Sequence, residues 1–179
     1  MSFAAGRECA ARAAAQLGAQ PPIDVPRGAA GEPVWPDGLT GSITHKDWFF
    51  SAAVARQSEA LAIGIDAERI IDADRAAVIA RRVALPQEGF VGGQTLAPGL
   101  RVSLLFSIKE AVFKCLYPLV LRRFYYDALS VTAIDLAAGT FDSELTARLS
   151  DQFPAGKLLS GRLAVAEARV HTGIWLPPH

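Results

Sequence analysis

Cysteine is scarce in this chain, and charge of either sign is never in excess. Cys9 and Cys115 are the only thiols in 179 residues, too few for a disulfide framework and without the paired spacing of a zinc site. Both read as small core residues, which fits a reducing compartment. Eighteen basic and eighteen acidic residues cancel, so no overall field draws the molecule to nucleic acid or to an anionic membrane. An anionic ligand has to be held by cations clustered locally. Long apolar runs are missing too. The alanine-rich start is broken by Arg7, Glu8 and Arg12, so it reads as neither a signal peptide nor a membrane span, and a cytoplasmic setting is expected. There is no strict repeat and no low-complexity tract. What is present is apolar bulk: 51% of the residues are hydrophobic, enough to bury one core or two small ones packed together, and too much for disorder.

Alanine-rich residues 4–17, closed by Gly18, predict a first helix. Residues 21–41 carry Pro21-Pro22, Arg27-Gly28, Gly31-Glu32-Pro33 and Trp35-Pro36-Asp37-Gly38, a density of turn formers that predicts an ordered loop, with Trp35 packed on something. Three short strands follow, at 41–45, 49–55 and 61–66. Residues 73–84 predict a helix with Asp72 or Asp74 at its start, Arg81 and Arg82 in its last turn, and Pro86 as its stop. Residues 89–99 are glycine-rich and predict a loop. The clearest helix lies at 103–116, where Leu105, Ile108, Val112, Cys115 and Leu116 recur at helical spacing until Pro118. Strands at 129–136, 161–166 and 169–176 complete a mixed α+β chain.

Two segments put charge beside core. In Gly64-Ile65-Asp66-Ala67-Glu68, an extended chain points Asp66 and Glu68 to one side and Ile65 to the other. In Ser107-Ile108-Lys109-Glu110-Ala111-Val112-Phe113-Lys114, Glu110 offers a third carboxylate. A Mg²⁺ ion takes one or two protein carboxylates and fills its remaining positions with water and phosphate oxygens, so a sparse acidic cluster of this kind points to phosphate chemistry. Each part alone has an ordinary reading. Asp-x-Glu after a strand is usually a solvated turn, Glu110 and Lys114 make a standard i, i+4 surface pair, His45 after Ser42 and Thr44 reads as a satisfied strand-end histidine, and Arg7 and Arg12 as the wet face of a helix.

The order of the blocks carries more than any one of them. Gly6-Arg7-Glu8-Cys9-Ala10 is followed by Gly31-Glu32-Pro33-Val34-Trp35-Pro36-Asp37-Gly38, then Gly41-Ser42-Ile43-Thr44-His45, then Ile63 to Glu68. The series closes with Leu105 to Lys114 running into Tyr117-Pro118-Leu119 and Asp127-Ala128. With these blocks the chain resembles the 4′-phosphopantetheinyl transferase superfamily, in the branch of the surfactin- and enterobactin-synthetase-type enzymes, over most of its length.

The resemblance implies a pseudo-dimeric α+β fold: two similar α/β halves, here 1–62 and 63–179, with the active site between them near residues 60–70. It implies a holo-[acyl-carrier-protein] synthase type of transferase. Such an enzyme moves the phosphopantetheine arm of coenzyme A, as co-substrate, onto a serine of an apo acyl or peptidyl carrier protein and releases adenosine 3′,5′-bisphosphate. Mg²⁺ would be held by Asp66, Glu68 and Glu110. Glu110, Lys114 and Asp66 would be catalytic, with Glu110 as the base. Lys109 and Lys114 would face the pyrophosphate, while His45, Ser42 and Thr44 would contact the coenzyme phosphates. Arg7, Arg27 and, more weakly, Arg12 would hold the 3′-phosphate end. A monomer is expected, because the two halves supply the interface internally. Phe124, Tyr125 and Tyr126 stand either in the core or on the carrier-docking surface.

The chain departs from the family pattern in three places. It opens almost at the Gly6-Arg7 block, which predicts a shortened first half. Lys46 follows His45 where cysteine is frequent, and residues 120–126 lack a tryptophan seen in many members. The competing function is a non-catalytic relative that binds coenzyme A or a carrier protein, and a third is a structural interaction domain. Retention of all three carboxylates and both lysines speaks against each.

Overall fold

The computed structural model describes residues 2–91 and 96–178, without the side chains of Ser2, Phe3 and Phe90. Helix α1 (Ser2–Gln16) packs on a two-stranded antiparallel sheet of β1 (Leu39–Lys46) and β2 (Phe49–Arg56). After it come β3 (Ala62–Arg69), α2 (Ala73–Val83), α3 (Pro98–Val120), β4 (Leu129–Asp135), β5 (Thr140–Leu145), β6 (Leu158–Ala166) and β7 (Arg169–Leu176). All strands of the second sheet run antiparallel, in the order β3-β7-β6-β5-β4.

Helix α1 ends as expected, with Gly18 left-handed at φ 85°. The connection to β1 holds no helix or strand; an isolated bridge between Arg27 and Pro33 shapes it. Its Trp35 ring lies against Gly41, where a side chain would have no room.

Helix α3 is longer than its apolar spacing suggested. It starts at Pro98, a residue suited to a first turn because it needs no N–H partner there, and continues through Pro118 to Val120. Pro118 falls in the last turn, so it removes only the bond to the carbonyl of Lys114 and does not break the helix. Gly99, Ser103, Ser107, Ala111 and Cys115 form a seam of small residues at i, i+4 spacing. This seam lets α3 lie directly on β3 and β7. Ser103 Oγ accepts the Ile71 N–H at 2.8 Å, the Ser107 and Thr172 hydroxyls meet at 2.8 Å, and Gly64 of β3 faces the Ala111 carbonyl. The other side of α3 (Leu104, Ile108, Val112, Leu116) fills the core with Leu129, Phe141, Leu145 and Leu159. Burial pushes the Cys115 thiol up to about 12, which leaves it inert as a nucleophile. Gly64→Ala is expected to destabilise the fold by about 1–3 kcal/mol, since its new methyl group would run into the Ala111 carbonyl and the Cys115 N and Cβ, none of which can swing aside. A urea melt with an unshifted midpoint would contradict that close approach.

The sequence missed strand β5. Its buried Phe141, Ser143 and Leu145 alternate correctly with Asp142 and Glu144, but the acidic residues and a serine mask the apolar period. Strand β6 begins three residues before the predicted 161, and part of the loop predicted over 89–99 lies outside the described residues. The connection before it is a short 3-10 turn over Pro86–Phe90. Among the described residues, no helix is long and apolar enough to cross a membrane.

Candidate active site

The two sheets meet along β1 and β3, and the site is built on that seam. No backbone ladder joins the two strands; hydroxyl groups take its place. Ser42 Oγ accepts the Ile65 N–H at 3.1 Å and Thr44 Oγ1 accepts that of Ala67 at 3.2 Å. Thr44 then donates to Asp66 Oδ1 at 3.1 Å. Both hydroxyl residues are buried. Both thus join the two sheets, and Ser42 also lines a neighbouring cavity. His45, one residue on, points elsewhere: it is exposed and stacks on Phe50.

Asp66 is 5% exposed, and its Oδ1 also takes Lys114 Nζ at 2.7 Å. Its Oδ2 is buried and has no hydrogen-bond partner among the described residues. A lone carboxylate oxygen in that position has lost its water without gaining a donor, which is costly unless a cation completes it. Glu68 lies two residues along β3 and pairs with Lys46 at 2.7 Å. Burial raises its pKa first of all, and the nearby Asp66 charge adds to this against the pull of Lys46. Glu110, on α3, accepts the Tyr126 hydroxyl at 2.6 Å. Burial and then the Glu110 bond push the Tyr126 phenol up, and the charges of Asp66 and Glu68 push the same way. Glu110 alone of the three carboxylates touches this phenol, while Asp66 and Glu68 act on it through their charge.

Among the described residues, no three acidic, histidine or cysteine side chains form a ready-made metal cage. The carboxylates instead hold Lys46, Lys114 and Tyr126. The donor set still suits Mg²⁺, a hard cation that needs few protein oxygens when phosphate and water supply the rest. The orphaned Asp66 oxygen is the place where such an ion gains most.

Lys109 corrects an expectation. It is 2% exposed, and its ammonium is shared among Glu88, the Val83 carbonyl and the Tyr126 carbonyl, each at 2.9 Å. Burial lowers its pKa, opposed chiefly by Glu88. Glu88 in turn accepts the N–H groups of Leu85 and Val131, both at 2.6 Å. Lys109 is spoken for by the core and does not present its charge to a pyrophosphate. Arg12 also turns away, into an exposed pair with Glu8 at 2.8 Å. Arg7 feels the charges of Arg27 and Asp24: burial and then the Arg27 charge depress its pKa, and the carboxylate partly restores it. The Arg27 guanidinium lies over Gly31.

Two cavities flank the α3 side of the seam and share Phe113 and Arg123. One, of about 290 Å³, is lined by Gly31, Glu32, Ser42, Lys114 and Tyr117 among others. The other, of about 190 Å³, is largely aromatic, with Phe124, Tyr125, Tyr126 and Glu110 in its wall. A third basin of about 650 Å³ lies beyond Tyr126, with Lys46, Glu68, Arg69, Arg75 and Arg82 around it. Sequence reasoning did not single out Lys46, Arg123 or Tyr126 for the site. Lys46 has a signal in hindsight, since it follows Thr44 by two on the same strand; Tyr126 and Arg123 have none.

Comparison with known proteins bears on the family of the chain. Residues 1–55 match the family model of the 4′-phosphopantetheinyl transferase N-terminal domain, and residues 62–166 that of the 4′-phosphopantetheinyl transferase superfamily. The chain is 40% identical to the 4′-phosphopantetheinyl transferase Svp of Streptomyces mobaraensis, over 96% of this chain and 70% of that one. It is 35% identical to the 4′-phosphopantetheinyl transferase Npt of Nocardia iowensis, over 96% and 80%. It is also 37% identical to enterobactin synthase component D of Salmonella typhimurium, over 62% and 45%.

Proposed function

Since the chain belongs to the 4′-phosphopantetheinyl transferase superfamily, we propose that the β1–β3 seam and the facing side of α3 are where it transfers the phosphopantetheine arm. The activity itself is that of a phosphopantetheinyl transferase with carrier proteins as acceptors and coenzyme A as substrate. Residues 1–62 and 63–179 are read as two halves of one pseudo-dimeric unit, which is supported by the meeting of the two sheets at β1 and β3.

The observation that carries the assignment is the buried Asp66 Oδ2, without a hydrogen-bond partner among the described residues, beside Lys114, with Glu68 two residues along β3 and Glu110 held by Tyr126. Asp66, Glu68 and Glu110 would hold Mg²⁺, which when bound supplies charge neutralisation at the pyrophosphate. Lys114, Arg123 and Arg27 border the 290 Å³ cavity or lie against its wall, a suitable setting for the charged nucleotide end of coenzyme A. The aromatic 190 Å³ cavity suits the uncharged arm. Glu110 stands in that wall, within reach of an incoming serine hydroxyl. It takes the serine proton as the serine oxygen bonds to the β-phosphorus and the bond to the bridging oxygen breaks, and adenosine 3′,5′-bisphosphate departs beside Lys114.

The holo-[acyl-carrier-protein] synthase type of activity is the finer reading of the family membership, and the two free cysteines favour a reducing, cytoplasmic setting for it. The similarity to enterobactin synthase component D makes a siderophore-type peptidyl carrier an acceptor to include in any assay. Intact-mass analysis of a purified apo carrier, incubated with this protein and coenzyme A, is expected to register the added arm in Mg²⁺ and no addition in EDTA. Absence of the adduct across acyl and peptidyl carriers would sink the proposal.

A further inference from the structure

We infer that Tyr126 is a positioning residue for the transfer, holding the Glu110 carboxylate in the one orientation that serves both the cation and the acceptor hydroxyl; this rests on the reading of Glu110 as base and ligand. Three observations converge on it. The phenol donates to Glu110 Oε1 at 2.6 Å, which occupies one oxygen and leaves the other to work. The residue is itself fixed at both ends: its carbonyl receives Lys109 Nζ at 2.9 Å, and its ring packs edge-on against Phe106 with centroids 5.7 Å apart. It also stands between two cavities, lining both the aromatic one that contains Glu110 and the larger basin that contains Glu68.

The buried Glu88–Lys109 pair acquires a purpose in this arrangement. Glu88 ties the 3-10 turn to β4 through Leu85 and Val131, and Lys109 ties α3 to the Tyr126 backbone. The chain after α3 is thereby locked at the point from which the phenol reaches back sixteen residues to Glu110. A carboxylate on a helix surface otherwise samples several rotamers, and hydrogen bonds to ligating carboxylates typically matter 10–100-fold in metal affinity or activity.

The test compares Tyr126→Phe with wild type in two readouts. The first is steady-state transfer to an apo carrier, where kcat is expected to fall about 10–100-fold while the KM for coenzyme A stays within about twofold. The second needs no turnover: Mn²⁺ titration by electron paramagnetic resonance, with coenzyme A present, is expected to show a weakening of the same order. Phe106→Leu, which loosens the ring without removing the hydroxyl, is expected to reproduce a smaller fall in kcat. Unchanged kcat and Mn²⁺ affinity would overturn the inference. So would a rise in KM with constant kcat, or a fall in melting temperature without loss of Mn²⁺ affinity, either of which assigns Tyr126 to the scaffold. Should the wild-type protein itself transfer nothing, the reading of the reaction falls, and the Mn²⁺ titration still decides the role of Tyr126.

Discussion

Glu110→Gln is expected to lower the rate of arm transfer by about 10²–10⁴-fold while the protein stays folded and continues to bind coenzyme A. Glutamine keeps the shape of the side chain, and its amide oxygen can still accept the Tyr126 hydroxyl that now reaches Oε1 at 2.6 Å, so little of the packing is disturbed. What it loses is the negative charge. A neutral amide cannot take the proton of the attacking serine, and it is a poor ligand for a hard cation. The cations proposed for coenzyme A, Lys114 and Arg123, are untouched by the change, so coenzyme A should raise the melting temperature of variant and wild type alike. Single-turnover transfer measured beside such a melt separates the two effects. A variant within tenfold of wild type would remove Glu110 from the role of base.

Lys109→Met is expected to be the most damaging single change to stability, at about 3–5 kcal/mol. The methionine fits the volume, but it strands Glu88, a carboxylate 0% exposed, among apolar neighbours without its counter-charge. The Val83 and Tyr126 carbonyls lose a donor at the same time. For a domain of this size the loss corresponds to a fall in melting temperature on the order of 10 °C. Adding Glu88→Gln should recover part of it, since the amide no longer needs a cation and still accepts from Leu85 or Val131; the double-mutant cycle isolates the pair. The variant also decides between two roles for one residue. If Lys109 held the pyrophosphate, as the family resemblance implied, the methionine would raise the KM for coenzyme A and leave the melt unchanged.

Much of this architecture was legible in advance. Helix α3 announced itself by period over 103–116, although Gly99, which opens its seam of small residues, read as loop. The turn formers before β1, the alternation of Asp66 and Glu68 along one strand, and the order of the five blocks were visible too. These are local properties: a helix or strand period, a turn residue and a neighbouring pair are set within a few residues of chain. The family followed from the blocks alone.

The division of labour among the charged and hydroxyl residues was not legible. Lys109 and Lys114 sit five apart on one helix, yet one is sealed against Glu88 and the other meets Asp66. Ser42 and Thr44 became the joint between two sheets because β3 arrives at the edge of β1, a meeting that spans more than twenty residues of chain. Tyr126 reaches Glu110 only after the chain has turned back beyond α3. The sequence by itself determined the family, most of the elements and the placing of Asp66 and Glu68 on one strand, because periodicity and residue type act locally. Tertiary structure alone decided which lysine is buried, which hydroxyls join the two sheets and which phenol holds Glu110, because those roles depend on what the rest of the chain brings within about 3 Å of each group.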